Sequence, residues 1–162
     1  MIGILFYSYK NKIYSFLESS KKGLPFKRKE FLMNIPERKF FKELQKIIPN
    51  NYIAFPQVLL SSIVNVTSSR KDFWKYQNKI NRKTIDYVIF EKPYFKPVLA
   101  IEYDGKTHDR QDRIDRDIKV KNILDSSGIR NFQVRHKENI NFEEVKNKIN
   151  NLILDKNNQT TT

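Results

Sequence analysis

The chain of 162 residues contains no cysteine and only two histidines, His108 and His136. Without cysteine it can form no disulfide, no thiolate zinc site and no cysteine nucleophile. Two histidines are too few for a histidine-built zinc site, so we expect no zinc. The lack of cysteine fits a reducing compartment, and we expect the protein to be cytoplasmic.

Long hydrophobic runs are also missing. The apolar opening, residues 1–7, ends before Lys10 and is too short to span a bilayer. It has neither a charged leader nor a small-residue cleavage site, so we do not expect a signal peptide or a membrane partner. The segment is interpreted either as a docking element for a partner or as the remnant of a membrane anchor in longer relatives.

Acidic residues are scarce in the first half of the chain. The 31 Lys and Arg residues against 18 Asp and Glu residues give a formal net charge of +13. Residues 1–81 hold fifteen basic and five acidic residues (+10), whereas residues 82–162 hold sixteen and thirteen (+3). A basic field of this size indicates an anionic partner, with nucleic acid ahead of a membrane surface. The alternative explanation of the excess of basic residues is an AT-rich genome, in which Lys and Asn codons are frequent.

The pattern of apolar residues predicts the element order α-β-β-β-α-β-α, an α/β fold with a mixed central sheet flanked by helices. The first helix starts with Asn34 as N-cap, Pro36 in the first turn and Glu37 at the third position. The other predicted elements are strands at 52–60, 84–90, 98–103 and 129–135 and helices at 110–126 and after Asn141. We expect an N-terminal extension (1–31), one domain (32–154) and a flexible tail (155–162).

Three carboxylates interrupt the two most apolar strands. Asp86 breaks the first of them, and Glu102 and Asp104 project from one face of the next. If the strands pair through a hairpin, Asp86 and Glu102 meet across the ladder. Carboxylates held that close repel each other and need a cation, and hard oxygen ligands select Mg²⁺ or Mn²⁺. The alternative is that each acid pairs with a nearby Lys or Arg; we favour the metal, because the two acids lie on adjacent apolar strands.

These residues resemble the PD-(D/E)XK nuclease-like superfamily, and within it the bacterial domains related to very short patch repair endonucleases. The resemblance rests on Ile85-Asp86-Tyr87-Val88 and on the run Ile101-Glu102-Tyr103-Asp104-Gly105-Lys106-Thr107-His108. It covers roughly Leu32 to Arg135, and the order and spacing of its short motifs carry it.

The resemblance implies a restriction-endonuclease-like αβββαβ core and a Mg²⁺-dependent endonuclease (Mn²⁺ as the alternative cofactor) acting on DNA. It implies that Asp86 and Glu102 bind the metal, with the backbone carbonyl of Tyr103 as a further ligand. The metal would activate a water molecule for attack on the phosphodiester bond. DNA is expected ahead of RNA, and a homodimer or a larger complex is left open.

One departure leaves the general base open, because Asp104 stands where the superfamily usually has Lys. Asp104 becomes a possible third ligand, and the candidate bases are His108, Lys106 and Lys121, the last on an inward arc of its helix. For Lys121 an ion pair with Asp117 is the preferred alternative. Glu37 is a further candidate catalytic acid, with the helix cap as its other role. Gln57 is expected only as a polar wall or edge residue.

A basic and aromatic segment, residues 70–83, precedes the Asp86 strand and is the candidate nucleic-acid surface. Its candidate contacts are Arg70, Lys71, Trp74, Lys75, Lys79, Arg82 and Lys83. The alternative is an amphipathic helix whose rings Phe73, Trp74 and Tyr76 belong to the core. Two other functions stay open for the whole chain: a catalytically inactive nucleic-acid-binding module of the same fold, and an interaction protein with structural acids.

Overall fold

The computed structural model describes residues 10–15, 24–104, 111–136 and 139–154, with side chains described from 115 onward in the helix that starts at 111. Contacts divide the chain into two units, residues 1–32 and residues 33–162. In the first unit, residues 10–15 are helical and exposed. The second unit holds the sheet, its flanking helices and every candidate residue.

The second unit is built from four helices and four strands among the described residues. They are α1 (Ile35–Ile47), β1 (Tyr52–Leu59), α2 (Phe73–Ile80), β2 (Thr84–Glu91), β3 (Lys96–Asp104), α3 (Gln111–Ser126), β4 (Arg130–Arg135) and α4 (Phe142–Leu154), with a 3₁₀ turn at Leu60–Ser62. The expected order is confirmed, with α2 as an additional helix between the first two strands. The fold class, α/β with a mixed sheet flanked by helices, is confirmed as well.

The sheet has the strand order β1-β2-β3-β4. The pairs β1–β2 and β2–β3 are antiparallel, whereas β3 and β4 run parallel and are joined by α3 as the crossover helix. The two strands with the candidate carboxylates are therefore the two central strands. Both are nearly continuous apolar runs because both of their faces are covered.

The start of α1 follows the local signals in the sequence. The Asn34 side chain accepts a hydrogen bond from the Glu37 amide (2.9 Å), and the Glu37 carboxylate accepts one from the Asn34 amide (2.8 Å). This capping box satisfies two amides that the first turn would leave without partners. The start predicted for this helix is confirmed.

Each face of the sheet has its own apolar core. On one face α1 and α4 pack against alternate residues of the central strands, and this cluster includes Phe40, Tyr87, Ile101 and Tyr103. On the other face α3 packs against Val88, Phe90 and Ala100, among others. Since side chains alternate along a strand, Asp86 and Glu102 belong to the face covered by α3. Among the described residues, no helix is long and apolar enough to cross a membrane.

Candidate functional site

Asp86 and Glu102 meet across the ladder between β2 and β3. The register pairs Tyr87 with Ile101 and, continued by one residue, sets Asp86 opposite Glu102. The Asp86 amide donates to Oε2 of Glu102 (3.5 Å), and the Tyr103 amide donates to Oδ2 of Asp86 (2.9 Å). Main-chain groups of one strand thus hold the carboxylate of the other. Both acids are partly buried near the end of the sheet where β3 finishes.

Gln57 on β1, which was expected only as a polar wall or edge residue, is the third partner of this pair. Its Nε2 donates to Oδ1 of Asp86 (3.2 Å), so both oxygens of Asp86 accept hydrogen bonds. Gln57 has φ of 53°, in the left-handed region, between the regular pairs Pro56–Tyr87 and Val58–Ile85. A non-glycine residue held there costs about 1 kcal/mol or more, and such strain clusters at functional sites. No local sequence signal announces this backbone conformation.

The surroundings of Glu102 disfavour its charged form. Burial, followed by the repulsion of Asp86, raises the pKa of Glu102 to about 8, and Asp117 adds to the effect. Within the part of the chain that the structure describes, neither Asp86 nor Glu102 forms an ion pair with Lys or Arg. Among the described residues, the alternative in which each acid has a basic partner is not seen. A proton on Glu102 or a nearby cation would relieve the repulsion.

Asp117 on α3 is the acidic neighbour that the sequence analysis assigned elsewhere. It is partly buried, and its Oδ1 lies 3.4 Å from Nε of Arg116. Its position follows from α3, which buries Val120 and Leu124 against the sheet and brings residue 117 over the same face. The shared arc with those two residues was the signal that could have identified it.

The inward position expected for Lys121 is wrong. The Lys121 side chain is 63% exposed, and its Nζ lies 2.7 Å from Oδ2 of Asp125. Lys121 does form an i,i+4 ion pair, but with Asp125 and not with Asp117. That hydrogen bond is the main reason why the pKa of Asp125 is lowered. Lys121 is on the edge of the predicted arc, and the helix turns it toward solvent.

Asp104, Tyr103 and Glu37 have different surroundings from one another. Asp104 ends β3, is partly buried and accepts a backbone hydrogen bond from the amide of His136 (2.8 Å). The Tyr103 ring lies in the core on the face opposite to Glu102. The Glu37 carboxylate is occupied by the helix cap, and its backbone carbonyl accepts a hydrogen bond from the Tyr87 hydroxyl (2.8 Å). The capping role of Glu37 is thus the one that the structure shows.

Tyr87 and Tyr103 are held as neutral phenols beneath the site. Burial, then the charges of Asp86 and Glu37, raises the pKa of Tyr87. Burial and the charge of Glu37 also raise the pKa of Tyr103. Both phenols therefore keep their protons at neutral pH. Lys106 and His108, the other two candidate bases, lie outside the described residues.

The basic and aromatic segment forms a helix, α2, but its rings are not core. Trp74 is 68% exposed and Tyr76 is 41% exposed, whereas Ile80 is buried. Lys75 and Lys79 lie 5.6 and 4.8 Å from the centre of the Tyr76 ring, in cation–π contact. Of the two alternatives left open for this segment, the helix is present, but Trp74 and Tyr76 are exposed and do not belong to the core.

The remaining candidate contacts flank α2 on both sides. Arg70 and Lys71 precede the helix and are exposed, and Arg82 and Lys83 follow it. Arg82 is exposed with φ of 61°, and Lys83 is partly buried. The segment therefore presents its cationic residues together with an exposed indole ring.

One protein-family model, described as "Protein of unknown function (DUF2726)", matches residues 29–152, which is about three quarters of the chain. The chain belongs to this family. The DUF2726 match spans the first strand to the last and contains Gln57, Asp86, Glu102 and Asp117. No curated protein and no solved structure matches the chain.

Proposed function

We propose that this protein is a metal-dependent nuclease that hydrolyses phosphodiester bonds in DNA. The observation that carries the proposal is the Asp86–Glu102 pair, two adjacent carboxylates without a basic partner among the described residues. A restriction-endonuclease-like core is part of the same proposal, supported by the order αβββαβ around a mixed sheet. A cytoplasmic location also belongs to it.

The donor set fits a hard divalent cation. Among the described residues no group of three or more acidic or histidine side chains is arranged around one point. Mg²⁺ needs no such cage, because it keeps several waters and commonly takes one or two carboxylates together with substrate phosphate. Asp86 and Glu102 would hold it, with the Tyr103 carbonyl as a further ligand and Asp104 as a possible one. When bound, the cation would activate water and neutralise the charge on the scissile phosphate.

The chain's own residues would orient these ligands and the substrate. Gln57 and the Tyr103 amide fix both oxygens of Asp86, so this carboxylate keeps one orientation. Around α2, the cations would contact phosphates and Trp74 would stack on an unpaired base. His108 and Lys106 remain the candidate bases, because Lys121 is turned away and paired.

A catalytically inactive nucleic-acid-binding module is the second candidate. The observation that favours it is the outward position of Lys121, which removes one possible substitute for the lysine that Asp104 replaces. Such a module would bind DNA in EDTA with a strong salt dependence and would cleave it under no condition.

Plasmid cleavage in Mg²⁺ or Mn²⁺ tests the proposal. Asp86→Asn and Glu102→Gln keep the shapes of the side chains and remove the charges, and we expect each to lower the cleavage rate at least about 100-fold. Glu91→Gln is the matched control, because it removes a carboxylate at the other end of β2. Equal residual nicking by wild type and Asp86→Asn would contradict nuclease activity.

A further inference from the structure

A pocket of about 490 Å³ lies on the face of the sheet covered by α1 and α4. Its lining includes Phe40, Tyr103, His136 and Phe142. The volume falls within the range of small-molecule sites, about 300–1,000 Å³. The Asp86–Glu102 pair belongs to the opposite face, so the pocket is a separate site.

The floor of the pocket is aromatic. The rings of Phe40 and Tyr103 have centres 4.9 Å apart, and those of Phe40 and Phe142 are 5.8 Å apart. Phe40 and Tyr103 are buried and form the floor, whereas Phe142 and Ile140 are only partly buried and present apolar surface at the pocket. A planar heterocycle could cover this apolar surface.

A hydrogen-bonding pair lies among these rings. The Tyr103 hydroxyl and Nδ1 of His136 are 2.6 Å apart, and both residues line the pocket. In the tautomer whose Nδ1 accepts from the phenol, Nε2 carries the ring proton and offers a donor. A heterocycle with carbonyl or ring-nitrogen acceptors matches this pair better than a hydrocarbon ring does.

Two exposed cations complete the lining. Lys39 and Lys42 are three residues apart on α1, hence neighbours on one helix face. Glu43 also lines the pocket, but its Oε1 lies 2.7 Å from Nζ of Lys46, which offsets its charge. The charge of Glu37 also reaches Tyr103, so the three lysines and the two glutamates together leave a net charge of +1, which favours an anionic ligand.

We propose that this pocket binds a nucleotide, with the base against its apolar surface and the phosphate at Lys39 and Lys42. The same chemistry is offered by a free mononucleotide and by an unstacked nucleotide of a single strand. Nucleotide binding at this site is separate from the proposed nuclease activity. The site lies across the sheet from the carboxylate pair, and binding there requires no metal. Its failure is therefore separable from a failure of nuclease activity.

Titration of the ¹⁵N-labelled full chain in EDTA tests the proposal, with dAMP in one arm and a short single-stranded oligodeoxynucleotide in the other. We expect saturable shifts of the amides of Lys39, Tyr103, His136 and Phe142. Lys39→Gln with Lys42→Gln should weaken binding about tenfold through two lost charge-assisted contacts. Tyr103→Phe should weaken it about three- to tenfold, because it keeps the ring and removes the hydroxyl.

The double variant Lys92→Gln with Lys96→Gln is the charge-matched control. These exposed lysines lie at the hairpin, about 23 Å along β3 from Tyr103. This control variant should bind dAMP and the oligonucleotide as tightly as wild type does. Shifts with dAMP support a site for free nucleotides, and shifts with the oligonucleotide alone support a site for a strand. No shift of the pocket amides in either arm, or equal weakening by both lysine pairs, overturns the proposal.

Discussion

At the scale of single residues, the chain holds a carboxylate pair together by neutral donors. Asp86 accepts from Gln57 and from the Tyr103 amide, and Glu102 accepts from the Asp86 amide. None of these donors carries a charge, so the hydrogen bonds orient the acids without cancelling their repulsion. Burial and repulsion then raise the pKa of Glu102 to about 8. The metal-free protein keeps a proton where a cation would fit.

The raised pKa of Glu102 predicts that the metal-free protein loses stability as pH rises from 5 to 8. Between the ordinary value near 4.5 and the folded value of about 8, the folded state binds more protons than the unfolded state. The free energy of unfolding therefore decreases with pH across this window, by about 3 kcal/mol. Urea unfolding in EDTA at pH 5 and pH 8 measures the difference.

Glu102→Gln should remove most of this pH dependence, because glutamine does not titrate. Glu91→Gln, at the far end of β2, should retain it. The same pH dependence in wild type and Glu102→Gln would show that Glu102 is ionised in the folded state throughout.

Two substitutions at Gln57 separate the cost of its backbone strain from the loss of its hydrogen bond to Asp86. Gln57→Ala and Gln57→Gly both remove the contact to Asp86, but only glycine adopts φ of 53° without steric cost. We expect the glycine variant to be more stable than the alanine variant by about 1 kcal/mol in urea unfolding. Both should cleave plasmid about equally slowly, because both leave Asp86 less firmly oriented. Equal stability of the two variants would contradict strain at this position.

At the scale of elements, the sequence predicted the features that depend on residues close together in the chain. Asn34, Pro36 and Glu37 announced the start of α1, since a capping box involves only residues three apart. Asp86 and Glu102 stood out because they interrupt apolar strands. The left-handed Gln57 was missed, because no local signal in the sequence marks this conformation. The directions in which Asp117 and Lys121 point depend on the rotation of α3 about its own axis against the sheet. The helical period of 100° per residue defines this rotation only roughly from the sequence.

The exposed face of α2 predicts two distinguishable contributions to DNA binding. Lys75→Gln with Lys79→Gln should reduce the slope of log affinity against log salt by about 1.4 on a single strand, because two phosphate contacts are lost. Trp74→Ala should weaken binding by about 1–3 kcal/mol and leave the slope unchanged, because stacking releases no counterions. Fluorescence anisotropy with labelled single-stranded DNA in EDTA, between 50 and 200 mM salt, measures both.

The hairpin variant Lys92→Gln with Lys96→Gln is the control for this experiment too, since these lysines lie at the opposite end of β2 from α2. An equal change of slope in this variant would mean that binding is diffuse. An unaltered affinity of Trp74→Ala would remove stacking from the account.

At the scale of the whole molecule, the net charge of +13 divides into parts with different positions. The α2 segment carries cations and the exposed Trp74, whereas the carboxylates lie on the face of the central strands that α3 covers. On the other face of the sheet, Lys39 and Lys42 line a pocket with an aromatic floor. Cationic surface and a pair of carboxylates in one domain match the proposed combination of a polyanionic substrate and a divalent cation.

Calorimetric titration of the metal-free protein with Mn²⁺ tests the central claim, that Asp86 and Glu102 together bind a divalent cation. At pH 7 Glu102 is largely protonated, so binding should release about one proton, and the measured heat should vary with the ionisation enthalpy of the buffer. We expect this dependence to vanish at pH 9 and binding to be lost in Glu102→Ala and Asp86→Asn but kept in Glu91→Gln. Identical isotherms for wild type and Glu102→Ala would contradict the claim.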